Sequence, residues 1–146
     1  MVRAIGNDND SNVEPNDHFT PDAATKMLPL VRVIVEDMVR LQSSIDAQRE
    51  QLGGVDDIDT SMQRETYQEE IRDIRESIET DESRLQSCIS ELALLGVRSH
   101  DPVDGCVDFP AVMHRNNVRL CWKLKEDAVC HWHDVNKPQD RRPIDS

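Results

Sequence analysis

The chain has 146 residues, a formal net charge of −12 and a hydrophobic content of 37%, with two Trp, two Phe and one Tyr. A strongly acidic chain repels polyanions, so we exclude nucleic acids and anionic membrane surfaces as its expected partners. Apolar residues are too few for a thick globular core, and no stretch reaches the roughly 18 apolar residues of a membrane span.

The N-terminal segment is rich in Asn, Asp and Ser and lacks the apolar run of a secretory signal. We therefore expect a disordered tail at 1–18, a single domain at 19–136 and a polar tail at 137–146. Without a signal, the expected location is the cytoplasm, where the four cysteines stay as free thiols.

Two apolar stripes, each stepping alternately by four and three residues, follow the tail. This spacing is the a/d repeat of a coiled coil. The stripes are Met27, Val31, Ile34, Met38, Leu41, Ile45 and Leu52, with polar Gln48 at the skipped position, and then Tyr67, Ile71, Ile74, Ile78, Leu85, Cys88, Leu92 and Leu95, with Asp81 at the skipped position. A polar link containing Gly53 and Gly54 separates them. The pattern predicts that the two helices fold back on each other as an antiparallel hairpin over 20–96.

Both predicted helices carry terminal signals. The first begins with Thr-Pro-Asp at 20–22, which provides a cap, a proline at the first helical position and an early acidic residue. The second is predicted to begin near Thr60 and to end at Gly96. Asp81 interrupts the second stripe, and we interpret it either as a residue that fixes register or as a solvated, partly exposed group.

The first stripe has more apolar surface than one partner helix covers. Nearly every residue from Met27 to Val39 is apolar, so this part of the helix needs burial on a second side. We expect the surplus to pair with another copy of the chain and to give a homodimer with a four-helix bundle. The residues expected in that interaction are Met27, Val31, Ile34, Met38 and Leu41.

Period-two patterns predict short strands after the hairpin. One strand covers 106–109 and ends at Pro110, a second alternates over 118–124, and a third returns over 129–135, with a turn at Asn116-Asn117. We expect a small antiparallel sheet of at most three strands within 105–136.

The Trp122 face of this sheet is expected to pack on the apolar part of the hairpin. The fold class is therefore α+β: a long antiparallel two-helix coiled-coil hairpin followed by a small antiparallel β-sheet.

Four segments, at 19–31, 105–111, 120–124 and 132–134, occur in a distinctive order. They read FTPDAATKMLPLV, GCVDFPA, LCWKL and WHD. Together they resemble an uncharacterised prokaryotic family, the domain of unknown function 2203. The resemblance implies a helical hairpin followed by a small sheet, and it brings no established activity.

Reactive side chains are densest in the segment Cys-His-Trp-His-Asp at 130–134. Residues two apart on a strand share a face, so His131 and His133 point the same way. Cys121, on the neighbouring strand, lies on the face that Trp122 does not occupy, and strand register decides whether it joins these histidines or the set on the other face. These three residues, His131, His133 and Cys121, are candidate ligands for zinc or iron. The alternative is that the histidines are packed, hydrogen-bonded core residues, since no Cys-x-x-Cys pair accompanies them.

Catalysis has weaker support in the sequence. Cys121 and His133 have the residue types of a nucleophile and its base, but the sequence provides neither an oxyanion hole nor a glycine-rich turn. We therefore assign no catalytic residue. The sequence favours a non-enzymatic structural or interaction protein that self-associates through its hairpin, and the alternative is a small metal- or ligand-binding module on the sheet.

Overall fold

The computed structural model describes residues 18–56 and 64–144, which form two helices followed by one antiparallel sheet. The elements are α1 (Pro21–Asp56), α2 (Arg64–Leu94), β1 (Arg98–Ser99), β2 (Cys106–Met113), β3 (Asn116–Lys123), β4 (His131–Asp134) and β5 (Arg142–Pro143). The strands neighbour one another in chain order. The predicted α+β class is thus confirmed. Neither helix, over its described residues, is long and apolar enough to cross a membrane.

Helix α1 begins where the sequence predicts and continues further than predicted. The Thr20 hydroxyl accepts the Ala23 N–H at 3.0 Å, which caps the first turn. The prediction that Gly53 and Gly54 lie in the link is wrong, because α1 includes both and ends at Asp56. Glycine in a helix costs only about 1 kcal/mol, and the rest of the helix is stable enough to offset this cost. The predicted start of the second helix at Thr60 lies outside the described residues.

The two helices pack against each other in antiparallel order, and polar contacts mark their register. The Asp81 carboxylate on α2 accepts hydrogen bonds from Ser44 Oγ at 3.0 Å and from Gln48 Nε2 at 2.9 Å, both on α1. Next to them, Arg49 forms an ion pair with Glu82. These contacts favour the interpretation of Asp81 as a residue that fixes register.

The predicted interaction residues lie mostly inside this chain's own core. Val31, Ile34, Met38 and Leu41 are buried there, and Met27 is half-buried against the same cluster. Any part they play in an interface with a second copy stays a prediction.

Helix α2 ends in a glycine-capped turn. Gly96 has a φ of 84°, and the Val97 N–H donates to the Leu92 carbonyl at 2.9 Å, which satisfies a terminal carbonyl of the helix. Gly96 thus has the predicted role of the glycine that follows the helix, whose last helical residue is Leu94. The chain then enters β1 directly, so the sheet begins beside the end of the hairpin.

The apolar face of the sheet packs on α1. Its buried residues are Val107, Phe109, Ala111, Val118, Leu120 and Trp122. The Trp122 indole N–H donates to the Glu126 carbonyl at 2.9 Å, and the same carbonyl accepts from Arg32 of α1 at 3.1 Å. Thr25 of α1 accepts the Val129 N–H at 3.1 Å. Trp122 therefore faces the hairpin, as the alternation predicted.

The sheet is larger than the three strands predicted, for local reasons. Pro110 was predicted to end this strand, but β2 continues through it. Its carbonyl accepts the Phe19 N–H at 2.7 Å, on the edge of β2 where the pairing with β1 has already ended. A proline on that edge lacks an N–H that no neighbouring strand would have used. The turn after β2 lies at His114-Arg115 rather than at Asn116-Asn117, and both central residues have positive φ, 51° and 67°. Within the segment expected to be a loose tail, Arg142–Pro143 pairs with β4.

Candidate metal centre

Strand alternation collects the reactive side chains on the face of the sheet that points away from α1. Asp108 on β2 lies directly opposite Cys121 on β3, and Cys121 lies directly opposite His131 on β4. Directly opposed residues of antiparallel strands share a face. His133, two residues after His131 on β4, pairs with Arg119 and lies on the same face, which we call the outer face.

His100, just after β1, lies at the centre of these groups. Its Nδ1 is 3.0 Å from Asp104 Oδ2, and its Nε2 is 3.3 Å from Asp108 Oδ1. Two sets of donor atoms lie within 4.8 Å of one another, His100 with Asp104 and Cys106, and His100 with Asp108 and Cys121. No other donor from the described residues joins either set.

A second imidazole approaches the same carboxylate oxygen. His133, 1% exposed, has its Nε2 at 3.3 Å from Asp108 Oδ1, while its Nδ1 is 2.8 Å from the Asp134 carbonyl oxygen. A carbonyl can only accept, so Nδ1 of His133 carries the hydrogen. The contact between its Nε2 and Asp108 Oδ1 is then a hydrogen bond only when one of these two atoms also carries a hydrogen.

The convergence of His100 and His133 on Asp108 Oδ1 thus requires a hydrogen or a cation between each ring nitrogen and this oxygen. Without a metal ion, a hydrogen on Nε2 or on the carboxyl group takes this role, and a bound metal ion can replace it. Because Asp108 and His133 are both buried, water cannot take over this role cheaply.

The protonation tendencies of the group follow from burial and neighbouring charge. Burial acts to lower the pKa of His100, but the hydrogen bonds and charges of Asp104 and Asp108 outweigh it and the net shift is upward. Burial raises the pKa of the Cys121 thiol, although Arg141 acts in the opposite direction. Burial, followed by the Asp104 charge, raises the pKa of Cys106 to about 11. Both thiols therefore hold their protons near neutral pH, and a metal ion would have to displace one.

An open cleft of about 660 Å³ leads to these groups from solvent. His100 and Cys121 line it, together with Lys123 and Arg141. Arg141 is fixed by hydrogen bonds to Glu126 Oε1 at 2.7 Å and to the Cys121 carbonyl at 3.3 Å. The cleft therefore provides an entry path to the cluster.

The three ligands predicted from the sequence lie on this outer face in different surroundings. Cys121 belongs to one of the two donor sets. His133 contacts Asp108, and His131 lies 3.8 Å from Glu126 Oε2. Neither histidine belongs to a donor set, and the predicted combination of all three as one set of ligands stays a prediction.

His100 and Asp108 were not among the site residues predicted from the sequence. Asp108 had a usable signal, because it alternates with Cys106 and so had to share a face with it. His100 had none, because it stands in an irregular segment between β1 and the turn at Asp101-Pro102.

The comparisons with known proteins place the chain in a family without adding chemistry. The family model DUF2203, described as an uncharacterized conserved protein, matches residues 17–144, so the chain belongs to this family. No curated protein and no solved structure matches the chain.

Proposed function

We propose that this protein binds a divalent transition metal ion, zinc or ferrous iron, through His100, Asp108 and Cys121. The observation that carries the proposal is that the three donor atoms of these residues lie within 4.8 Å of one another on one face of the sheet. An imidazole, a carboxylate and a thiolate are the donor types that zinc and iron accept together.

The spacing of the donors supports this assignment. Two donor atoms that each lie about 2.0–2.1 Å from zinc at the tetrahedral angle are about 3.3–3.4 Å apart. His100 Nε2 and Asp108 Oδ1 are 3.3 Å apart. A metal ion between them therefore requires little movement of either side chain.

Each proposed ligand also has an outer partner that holds it. Asp104 accepts the Nδ1–H of His100 at 3.0 Å, and His133 contacts Asp108. Arg141 donates to the carbonyl of Cys121. Outer partners of this kind set the tautomer and orientation of metal ligands. The arrangement leaves Nε2 of His100 as the nitrogen directed at the metal.

Burial favours this set over the second one that contains His100. The side chain of Asp108 is 8% exposed, whereas that of Asp104 is 49% exposed and stays in contact with water. A buried carboxylate has lost its hydration and gains more from a bound cation than an exposed carboxylate does. We therefore assign Asp108 and Cys121 to the metal, and Asp104 to the support of His100.

The experiment that tests the proposal is metal analysis of the chain purified from its own host without a histidine tag. We expect close to one equivalent of zinc or iron per chain. Cys121→Ser should lose it, and Cys106→Ser, the matched control on the neighbouring strand, should keep it. Less than about a tenth of an equivalent of metal in the unaltered chain contradicts the proposal. Loss of the metal from Cys106→Ser, with the metal retained in Cys121→Ser, contradicts it as well.

A second candidate function is self-association, and exposed apolar residues on α1 favour it. Leu30 is 50% exposed and Val33, one turn along, is 55% exposed. Both lie in the apolar part of α1 that the sheet and α2 only partly cover. The proposed occupant is the same face of a second copy, because a two-fold contact makes an apolar patch its own partner.

Light scattering at micromolar concentration tests the second candidate. We expect the mass of a dimer, and we expect the double variant Leu30→Asp with Val33→Asp to give a monomer. Val112→Asp, which changes a residue of similar exposure on the sheet, is the control and should leave the dimer intact. A monomer mass for the unaltered chain contradicts this candidate and leaves the metal proposal untouched.

A further inference from the structure

We infer that the metal ion held by His100, Asp108 and Cys121 keeps a fourth coordination position open to the cleft, and that this position takes a small oxyanion, a carboxylate or a phosphate. The inference rests on the proposed metal site and adds the class of its external ligand.

The open position follows from the number of donors. The set contains three protein donors, and no fourth donor from the described residues lies within 4.8 Å of all of them. Structural zinc sites are closed by four protein ligands, whereas reactive sites have three and leave one position for water or a substrate. The donors here match the second arrangement.

The shape of the site determines which side is open. His100 and Cys121 line the cleft of about 660 Å³, whereas Asp108 and His133 are not among its lining residues and are buried. The ion is therefore held from the side of the sheet and is reached from the cleft. A ligand the size of acetate or phosphate fits such a volume without displacing protein atoms.

The charge of the cleft favours an anion. A thiolate and a carboxylate together neutralise a divalent ion, so the remaining charge comes from the walls. Lys123 lines the cleft and forms no ion pair with any described residue, whereas Arg141 is tied to Glu126. Asp104 carries the opposite charge at the rim, but its carboxylate is engaged by His100. The Lys123 ammonium is thus the free cation that an oxyanion on the metal would contact.

Cobalt(II) substitution makes the fourth position visible, because the intensity of the cobalt visible spectrum depends on coordination number and ligands. The full chain loaded with cobalt is titrated with acetate and, separately, with inorganic phosphate. We expect a saturable spectral change with at least one of the two anions. The anion that binds more tightly shows whether the fourth position prefers a carboxylate or a phosphate. Lys123→Ala should lower the affinity for that anion roughly two- to fivefold, as expected for the loss of one exposed charge, without altering the affinity for cobalt.

Lys125→Ala is the matched control, since Lys125 is exposed nearby and does not line the cleft. A spectrum that neither anion changes overturns the inference, and so does an equal effect of the two lysine variants. X-ray absorption of the zinc-loaded chain gives an independent count of imidazoles. One imidazole supports the open position, and two would mean that His133 moves in to close it. If the chain binds no cobalt or zinc, the proposed function itself fails, so the two failures are distinguishable.

Discussion

Replacing Trp122 with phenylalanine tests how the sheet is held on the hairpin, and hence how the candidate site is supported. Trp122 is 0% exposed and lies between Cys121 and Lys123 on β3, with its ring on the opposite face. The Arg32 guanidinium of α1 lies 5.7 Å from its ring centre. Phenylalanine keeps one aromatic ring and removes the indole N–H and part of the buried surface.

The contacts of Trp122 determine how much free energy of unfolding Trp122→Phe should lose. The lost hydrogen bond to the Glu126 carbonyl is worth about 0.5–1.5 kcal/mol, and that carbonyl keeps Arg32 as a donor, so it is not left unpaired. Roughly 40 Å² of lost apolar burial costs about 1 kcal/mol. A residual cavity of roughly 35 Å³ costs a little less. We expect the free energy of unfolding to fall by about 2–3.5 kcal/mol, which corresponds to a melting temperature lower by about 5–12 °C.

Urea unfolding followed by circular dichroism measures this change. The control is Trp132→Phe, because Trp132 is half-buried and should lose less than about 1 kcal/mol. The slope of the free energy against urea should be unchanged in both variants. A loss below about 1 kcal/mol for Trp122→Phe would refute the reasoning, since it would mean that the sheet does not bury this face on α1.

Three further predictions address the metal, an ion pair and a turn. Zinc at a hundredfold excess over its dissociation constant should stabilise the chain by about 2.7 kcal/mol and raise its melting temperature by about 5–11 °C; a chelator should reverse this, and the absence of any shift would contradict the site. Burial acts to raise the pKa of Glu126, but the hydrogen bond from Arg141 lowers it overall, so this carboxylate stabilises the fold above its unfolded pKa and ceases to do so as the pH falls through its folded pKa. Glu126→Gln should therefore lower the free energy of unfolding by about 1–2 kcal/mol in urea at pH 7. The difference between the two proteins should disappear once the pH lies below the lowered folded pKa of Glu126, and a constant difference at all pH values would contradict this. Arg115→Gly should stabilise by about 0.5–1 kcal/mol, because Arg115 has a φ of 67°; a loss of stability in a thermal melt would count against this.

The sequence predicted the elements whose signals are local. Apolar spacing along one helix is independent of everything else in the chain, so the hairpin and the burial of Val31 and Met38 followed directly. Turns were less predictable. Gly53 and Gly54 were assigned to the link, but α1 includes them, because a helix that already has its hydrogen bonds tolerates glycine. The expected cytoplasmic location and the domain boundaries rest on the sequence alone.

The candidate site was less predictable because it depends on contacts between distant parts of the chain. Cys121 could be named from its residue type and from its alternation with Trp122. Its partner Asp108 comes from another strand, and His100 comes from an irregular segment that has no period at all. Which of several polar residues meet is decided by strand register, and register depends on the turn between the strands, which the sequence placed at Asn116-Asn117 instead of His114-Arg115.

The register of β2 against β3 is therefore the feature on which the site depends. The turn at His114-Arg115, with both residues at positive φ, has the two-residue type I′ geometry that fixes the pairing of its strands. That pairing places Asp108 opposite Cys121. A slip of one residue in β3 would turn Cys121 toward the helices and Trp122 toward solvent. Burial of Trp122 on α1 opposes such a slip, so the packing that stabilises the fold also holds the metal ligands together on the other face.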